Sequence, residues 1–231
     1  MPLTTLEGKI PVTKNQKVVV STATFFYFGS MMKNFMLFLI VCLAVPGLSL
    51  AQKEFDIISL NEGLYVHRTT INSQEVSYNG LLIDAHSGYV LINPGNTLLE
   101  SHKIGEWVKA TDDKPILMVI LTRADTSLFA GADYFIELGA IVSTTSSIAR
   151  HCRKNMKFSP SGHLTSGNYT IGNLSFDIYA MNEENLVIWI EDYELVYGHQ
   201  INEDMSSDRQ NLKTKLASAA ISIPFLGKIS F

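Results

Sequence analysis

The chain has 231 residues, of which 46% are apolar and 17% charged, so it can bury one sizeable core and a single domain is expected. Its formal net charge of −4 disfavours nucleic acid and anionic membrane surfaces as partners.

The N-terminal fifth carries the pattern of a secretory signal peptide. Met32-Lys33-Asn34 is a short basic start, an apolar run follows at 35–45, and Ser49-Leu50-Ala51 supplies a small-x-small cleavage site. A transmembrane anchor is the alternative, but Pro46-Gly47 leaves the run short for a bilayer. We therefore expect a periplasmic or secreted protein with no stable membrane anchor after cleavage.

These signals predict the segment boundaries of the chain. The expected segments are a non-native N-terminal extension at 1–31, a signal peptide at 32–51, a folded domain at 52–204 and a degenerate or divergent tail at 205–231. Cleavage before Gln52 leaves 14 of the 18 basic and 21 of the 22 acidic residues, a net charge of about −7. Cys152 is then the only cysteine, so no intramolecular disulfide is expected.

Four short strands open the mature chain. They are rich in β-branched and aromatic residues and are separated by turn sequences that contain Gly, which is typical of a meander of hairpins. The predicted strands are 55–60, 64–68, 80–84 and 89–92.

Helices and buried strands alternate after the meander. Apolar residues in 97–110 recur at close to helical spacing, and 116–121 is a continuous apolar run typical of a buried strand. A second helix at 130–138 ends at Gly139, and a further strand is predicted at 140–143. This alternation predicts an α/β layered fold.

The second half is predicted to contain two hairpins and a helix. The hairpins are predicted at 168–179 and 186–197, and a polar helix at 207–220. Because no low-complexity linker separates the two halves, one globular unit is the simplest organisation.

Five segments of the mature chain, in this order, resemble the metallo-β-lactamase superfamily, and within it the zinc β-lactamases. They are 63–67, 77–83, 88–95, 182–189 and 195–199. The resemblance implies an αββα sandwich.

The turn after the buried strand, 118–131, resembles the loop that carries most of the zinc ligands in that family. There a strand ending in Thr delivers two His, an Asp and a third His to two zinc ions. The corresponding residues here are Arg123, Asp125, Ser127 and Leu128. Arg123 is a permanent cation and Leu128 has no donor atom, so only Asp125 is a good metal ligand.

The remaining ligand positions are also altered. Met181 stands where the family has a further His, and a thioether is a poor partner for zinc among nitrogen and oxygen ligands. His199 stands in place of a Cys or Asp and is the other weak metal candidate. The family's last His lies in a Pro-Gly-His-Gly turn, and no such turn occurs in the sequence up to Phe231. We therefore expect the second half to be incomplete, with an exposed sheet edge, an apolar surface behind 186–189, and self-association as a consequence.

The resemblance thus implies a metallo-β-lactamase-like protein without zinc hydrolysis and without a cofactor. Asp125 paired with Arg123 is preferred over a metal held by Asp125 and His199, and the other histidines, His67 among them, are interpreted as ordinary polar residues. The alternatives are a zinc-dependent hydrolase of β-lactams, esters or thioesters, and a binding protein that holds a small anionic molecule on Arg123 with Asn185 as a further contact.

Overall fold

Two β-sheets pack face to face, and helices cover their outer sides. The computed structural model describes residues 53–71, 76–156, 158–182, 184–198, 210–224 and 227–229, which all belong to one unit spanning 51–231. The predicted extension, the signal peptide and His199 lie outside the described residues. Among the described helices, none is long and apolar enough to cross a membrane.

The first sheet has seven strands in chain order, antiparallel from β1 to β4 and parallel from β4 to β7. Its strands are β1 (Lys53–Asn61), β2 (Leu64–Ile71), β3 (Val76–Asp84), β4 (Tyr89–Ile92), β5 (Ile116–Ile120), β6 (Ile141–Thr144) and β7 (Gly162–His163).

The parallel half of this sheet is linked by helices, as parallel strands require. Thr97 caps the first of them by accepting a hydrogen bond from the Glu100 amide at 3.2 Å, and Ile104 and Val108 bury its inner face. The helices are α1 (Leu98–Thr111), α2 (Ala132–Glu137) and α3 (Ser146–Asn155).

The second sheet has the order β12-β11-β10-β9-β8, in which β12 runs parallel to β11. Its strands are β8 (Gly167–Ile171), β9 (Leu174–Asn182), β10 (Asn185–Ile190), β11 (Leu195–Tyr197) and β12 (Ile221–Ile223), and α4 (Gln210–Ser218) precedes the last strand.

Alternation along β10 shows how the second sheet is buried on both faces. Ile188 and Ile190 belong to the main core, whereas Val187 and Trp189 point to the opposite face. There they pack with Leu212 of α4, which is fully buried. The predicted αββα layering is therefore confirmed, with α4 as the outer layer of the second sheet.

Most predicted elements are confirmed to within a few residues, but the uncovered sheet edge and the exposed apolar surface expected behind 186–189 are wrong. β12 pairs with β11, and α4 buries the apolar surface behind 186–189 that was expected to be exposed. The edge and the surface on which we based self-association are thus covered. The helix α3 was not predicted because it presents only three buried residues, Ile148, Ala149 and Cys152.

Candidate functional site

The loop at 122–128, here called the ligand loop, leaves the carboxyl end of β5 and runs beside the start of β10. The Leu186 amide donates to the Thr122 carbonyl at 2.7 Å, and the Ala124 amide donates to the Glu184 carbonyl at 3.1 Å. Between these bonds Arg123 forms an isolated antiparallel bridge with Asn185. The structure therefore brings together two of the predicted site residues, Arg123 and Asn185, from the two halves of the chain.

Asp125 is used by the ligand loop itself. Its Oδ1 accepts hydrogen bonds from the Ser127 amide at 3.0 Å and the Ser127 hydroxyl at 2.7 Å. This arrangement caps the single 3-10 turn Thr126–Leu128. A carboxylate that caps a turn and a serine that donates to it are both in ordinary structural roles. The predicted ion pair between Asp125 and Arg123 stays a prediction.

Leu128 closes a small cavity beneath the ligand loop. Its side chain is 2% exposed, and it lines this cavity together with His67, Asn93 and Asn96. The cavity has a volume of about 10 Å³, which is roughly the room of one water molecule. At Leu128, which the sequence analysis aligned with a family His ligand, the structure thus has an apolar side chain that fills space.

His67 lines the same cavity, and the sequence analysis did not single it out. It is 3% exposed, and burial lowers its pKa from 6.5 to about 4, although the nearby carbonyls of Ile92 and Asn93 act in the opposite direction. The ring lies directly against Gly80, where a Cβ atom would come within 2.1 Å of Nε2. A glycine inside a strand often marks such a close approach, so Gly80 was the available signal.

Met181 does not belong to this cavity. It lies in β9 beside an irregularity in the pairing with β10, and its side chain packs on the outer cluster of Val187, Trp189 and Leu212. His199 lies outside the described residues.

A buried polar network supports the ligand loop from below. Asn93 follows β4 with a left-handed φ of 54°, which asparagine tolerates better than most residues. Its Nδ2 donates to the Thr122 hydroxyl at 2.9 Å and to the Tyr197 hydroxyl at 2.7 Å, and its Oδ1 accepts from the Thr122 amide at 3.0 Å. The Tyr197 hydroxyl in turn donates to the Asn79 carbonyl at 2.7 Å. The network of Asn93, Thr122, Tyr197 and Asn79 therefore links the two sheets.

The tail after β12 is held by the same network. Nδ2 of Asn79 donates to the carbonyls of Pro224 at 2.7 Å and Gly227 at 3.1 Å, and the Gly227 amide donates to the Ser77 carbonyl at 2.9 Å. The sequence between these two carbonyls is Pro224-Phe225-Leu226-Gly227. Phe225 and Leu226 lie outside the described residues, and the absence of the family's Pro-Gly-His-Gly turn stays an expectation from the sequence.

The described side chains do not fit zinc. Structural and catalytic zinc sites take three or four His, Cys, Asp or Glu ligands. Within the described ranges no group of three or more such side chains lies close enough to hold a metal ion. At the ligand loop, Asp125 caps a turn and Leu128 fills the space beneath it.

Comparisons with known proteins agree with this fold. The chain is 26% identical over 159 residues to a metallo-β-lactamase type 2 from Bacillus cereus, a match that covers 66% of this chain and 62% of the relative. A second such enzyme, from Bacillus sp. (strain 170), is 26% identical over 150 residues, with 58% of its length covered. The chain thus spans about three fifths of the length of these relatives. No protein-family model matches it.

Solved structures give the same result for the fold. A metallo-β-lactamase from Pontibacter korlensis matches with a TM-score of 0.65 and 17% identity, over 77% of this chain and 93% of the other. A metallo-β-lactamase from Hirschia baltica matches with a TM-score of 0.63 and 20% identity, over 77% and 93%. The chain thus has the metallo-β-lactamase fold and is similar in sequence to two metallo-β-lactamases type 2.

Proposed function

We propose that this chain is a non-hydrolytic member of the superfamily, in which the zinc site has been replaced by protein side chains. The observation that carries the proposal is the ligand loop. Leu128 is buried against the cavity beside His67, and Asp125 is bonded to Ser127. Hydrolysis in this family depends on a metal that activates water and polarises the carbonyl group. No described group in this loop supplies an equivalent nucleophile.

The substitutions at the other ligand positions support the same conclusion. Met181, which the sequence analysis aligned with a family His, packs beneath α4. A thioether at that position is a poor ligand for zinc. Among the aligned positions only Asp125 and His199 could ligate zinc, which is fewer than the usual three or four ligands.

Metal content and hydrolysis test this proposal together. After dialysis, the isolated chain should contain far less than one zinc per molecule by mass spectrometry. Turnover of a β-lactam, a lactone and a thioester should equal that of a mock-purified control, with and without added zinc. The proposal is overturned by stoichiometric zinc that a His199→Ala variant loses, or by turnover that a chelator abolishes. Either result would favour the metal-dependent hydrolase.

The bridge between Arg123 and Asn185 favours a binding role beside the ligand loop. Residues directly opposite each other in an antiparallel pairing extend their side chains from the same face, and a guanidinium and an amide can both donate to an anionic oxygen. We propose a small anionic molecule as the ligand. An Arg123→Gln variant should lose binding of such an anion in calorimetry, while Arg150→Gln, an exposed control on α3, should retain it.

Export to the periplasm or the medium remains part of the proposal. The basic start, the apolar run and the small residues before Gln52 support it. Mass spectrometry of the form that accumulates in cells should identify Gln52 as the N-terminus. Recovery of Met1 on that form would contradict export through this signal.

A further inference from the structure

One face of β2 changes from apolar to polar along its length. Alternate residues of a strand share a face, and Leu64 and Val66 on this face are fully buried in the core. Further along the same face, Arg68 and Thr70 instead line a cavity of about 680 Å³. Both side chains have polar partners on neighbouring strands, Asp56 for Arg68 and Ser77 for Thr70, and border the cavity with the rest of their surface.

The cavity lies between β1–β3 and the tail 227–229, and we call it the tail groove. Lys228 and Ile229 form its tail wall. That wall is anchored, because Asn79 is 2% exposed and bonds the carbonyls of Pro224 and Gly227. The volume is within the usual range for small-molecule sites, about 300–1,000 Å³. None of Arg123, Asp125, Ser127, Leu128 and Met181 contributes to its lining.

The groove contains an oriented cation. Nε and Nη2 of Arg68 both lie 2.9 Å from Oδ2 of Asp56, which uses one edge of the guanidinium and fixes its plane. The side chain of Arg68 is 39% exposed and lines the groove. A guanidinium held in this way binds a carboxylate at a small cost in side-chain entropy. Lys228 adds a second positive charge from the tail wall.

The rest of the lining is amphipathic. Ile58, Leu60 and Ile229 offer apolar surface, and the hydroxyls of Thr70 and Ser77 lie 3.1 Å apart beside it. Glu54 borders the same groove and would repel a second negative charge on the ligand. The lining therefore suits one carboxylate attached to a short hydrocarbon.

We propose that the tail groove binds a small amphipathic monocarboxylate. Its carboxylate lies between Arg68 and Lys228, and its hydrocarbon packs on Ile58, Leu60 and Ile229. This site does not depend on whether the chain has lost zinc hydrolysis, because it shares no residue with the ligand loop.

Titration of the isolated full-length chain with sodium octanoate, followed by amide NMR shifts, tests the proposal. Saturable shifts are expected at Thr70, Ser77 and Ile229. Octan-1-ol, which keeps the hydrocarbon and lacks the charge, should bind about tenfold more weakly or worse, as expected for loss of a charge-assisted hydrogen bond. Succinate, with two negative charges and little hydrocarbon, should also bind weakly.

Two variants at the groove and one control complete the test. Lys228→Gln should weaken octanoate binding about tenfold, and because Lys228 is exposed the variant should keep the wild-type melting profile. Arg68→Gln should weaken binding at least as much, and its melting curve reports any effect of losing the Asp56 pair. Lys109→Gln, exposed on α1, should bind like wild type.

Three outcomes overturn the proposal. They are the absence of saturable shifts at millimolar octanoate, unchanged affinity in Lys228→Gln, and shifts centred on Arg123 rather than on Thr70 and Ser77. Because the readout involves neither zinc nor turnover, failure here leaves the non-hydrolytic proposal untouched.

Discussion

The polar network and the ligand loop are neighbours, but their hydrogen bonds join residues at very different separations along the chain. Asn93 and Tyr197 are 1% and 0% exposed, and the bond between them joins residues 104 positions apart in the two sheets. In the ligand loop the side-chain bonds of Asp125 reach only Ser127, two residues away. The side chains of the network therefore hold the two sheets together beside the ligand loop. Substitutions in the network should lower the free energy of unfolding more than substitutions in the ligand loop.

The largest loss of stability is expected from a substitution in the network. Asn93→Asp removes the Nδ2 donor and places a carboxylate at a position that is 1% exposed. We expect a loss of about 4 kcal/mol in the free energy of unfolding, because a carboxylate would be buried without a cationic partner. Urea unfolding measures this loss. Asn173→Asp at an exposed turn should change stability little, and a similar result at Asn93 would mean that the network does not join the sheets.

The second-largest loss of stability is expected from a substitution in α4. Leu212→Ala removes a fully buried side chain beneath the second sheet and should cost about 3 kcal/mol. Lys213→Ala, exposed on the same helix, serves as the control. If both variants unfold like wild type, α4 does not cover Val187 and Trp189 in solution, and the exposed surface expected from the sequence is restored.

The layers of the fold could be predicted from the sequence because local residue patterns specify most of their helices and strands. The strands β4 and β5 and the cap at Thr97 follow from apolar runs and capping residues close in the chain. By contrast, β12 is three residues long and is specified by its partner β11, so no periodicity could reveal it.

Some features of the candidate site could also be predicted from the sequence, and others could not. The identities at Arg123 and Leu128 led from sequence to the expectation that metal ligands are replaced. The positions of His67 and Tyr197 could not be predicted, since their environment comes from strands far apart in the chain. Met181 shows the converse, because a residue aligned with a family ligand packs in another layer.

A pH titration of stability separates His67 from the rest of the site. Its pKa is about 4 in the folded state and 6.5 as the ordinary value, so the unfolded chain binds the proton first as the pH falls. Stability should be complete above pH 6.5 and decline as the pH falls toward 4, with about 2 kcal/mol lost between pH 7 and pH 5. The paired carboxylates Asp112 and Asp177 have lowered pKa values and contribute below this window.

The measurement is urea unfolding at a series of pH values. His67→Gln should flatten the decline between pH 7 and pH 5, whereas His86→Gln, exposed in a turn, should retain it. An equal slope in wild type and His67→Gln would show that the imidazole is not buried in its neutral form.

The smallest effect is expected in the ligand loop itself. Ser127→Ala removes the hydroxyl bond to Asp125 and leaves the amide bond that caps the turn. Because Asp125 is partly exposed and water can replace the lost donor, the cost should be under about 1 kcal/mol. Tyr197→Phe is the matched comparison, since it also deletes one hydroxyl, but at a buried position where Asn93 and the Asn79 carbonyl both lose a partner. It should cost about 2 kcal/mol by the same urea measurement. Equal losses in the two variants would contradict the distinction between a network that holds the sheets together and a loop that does not.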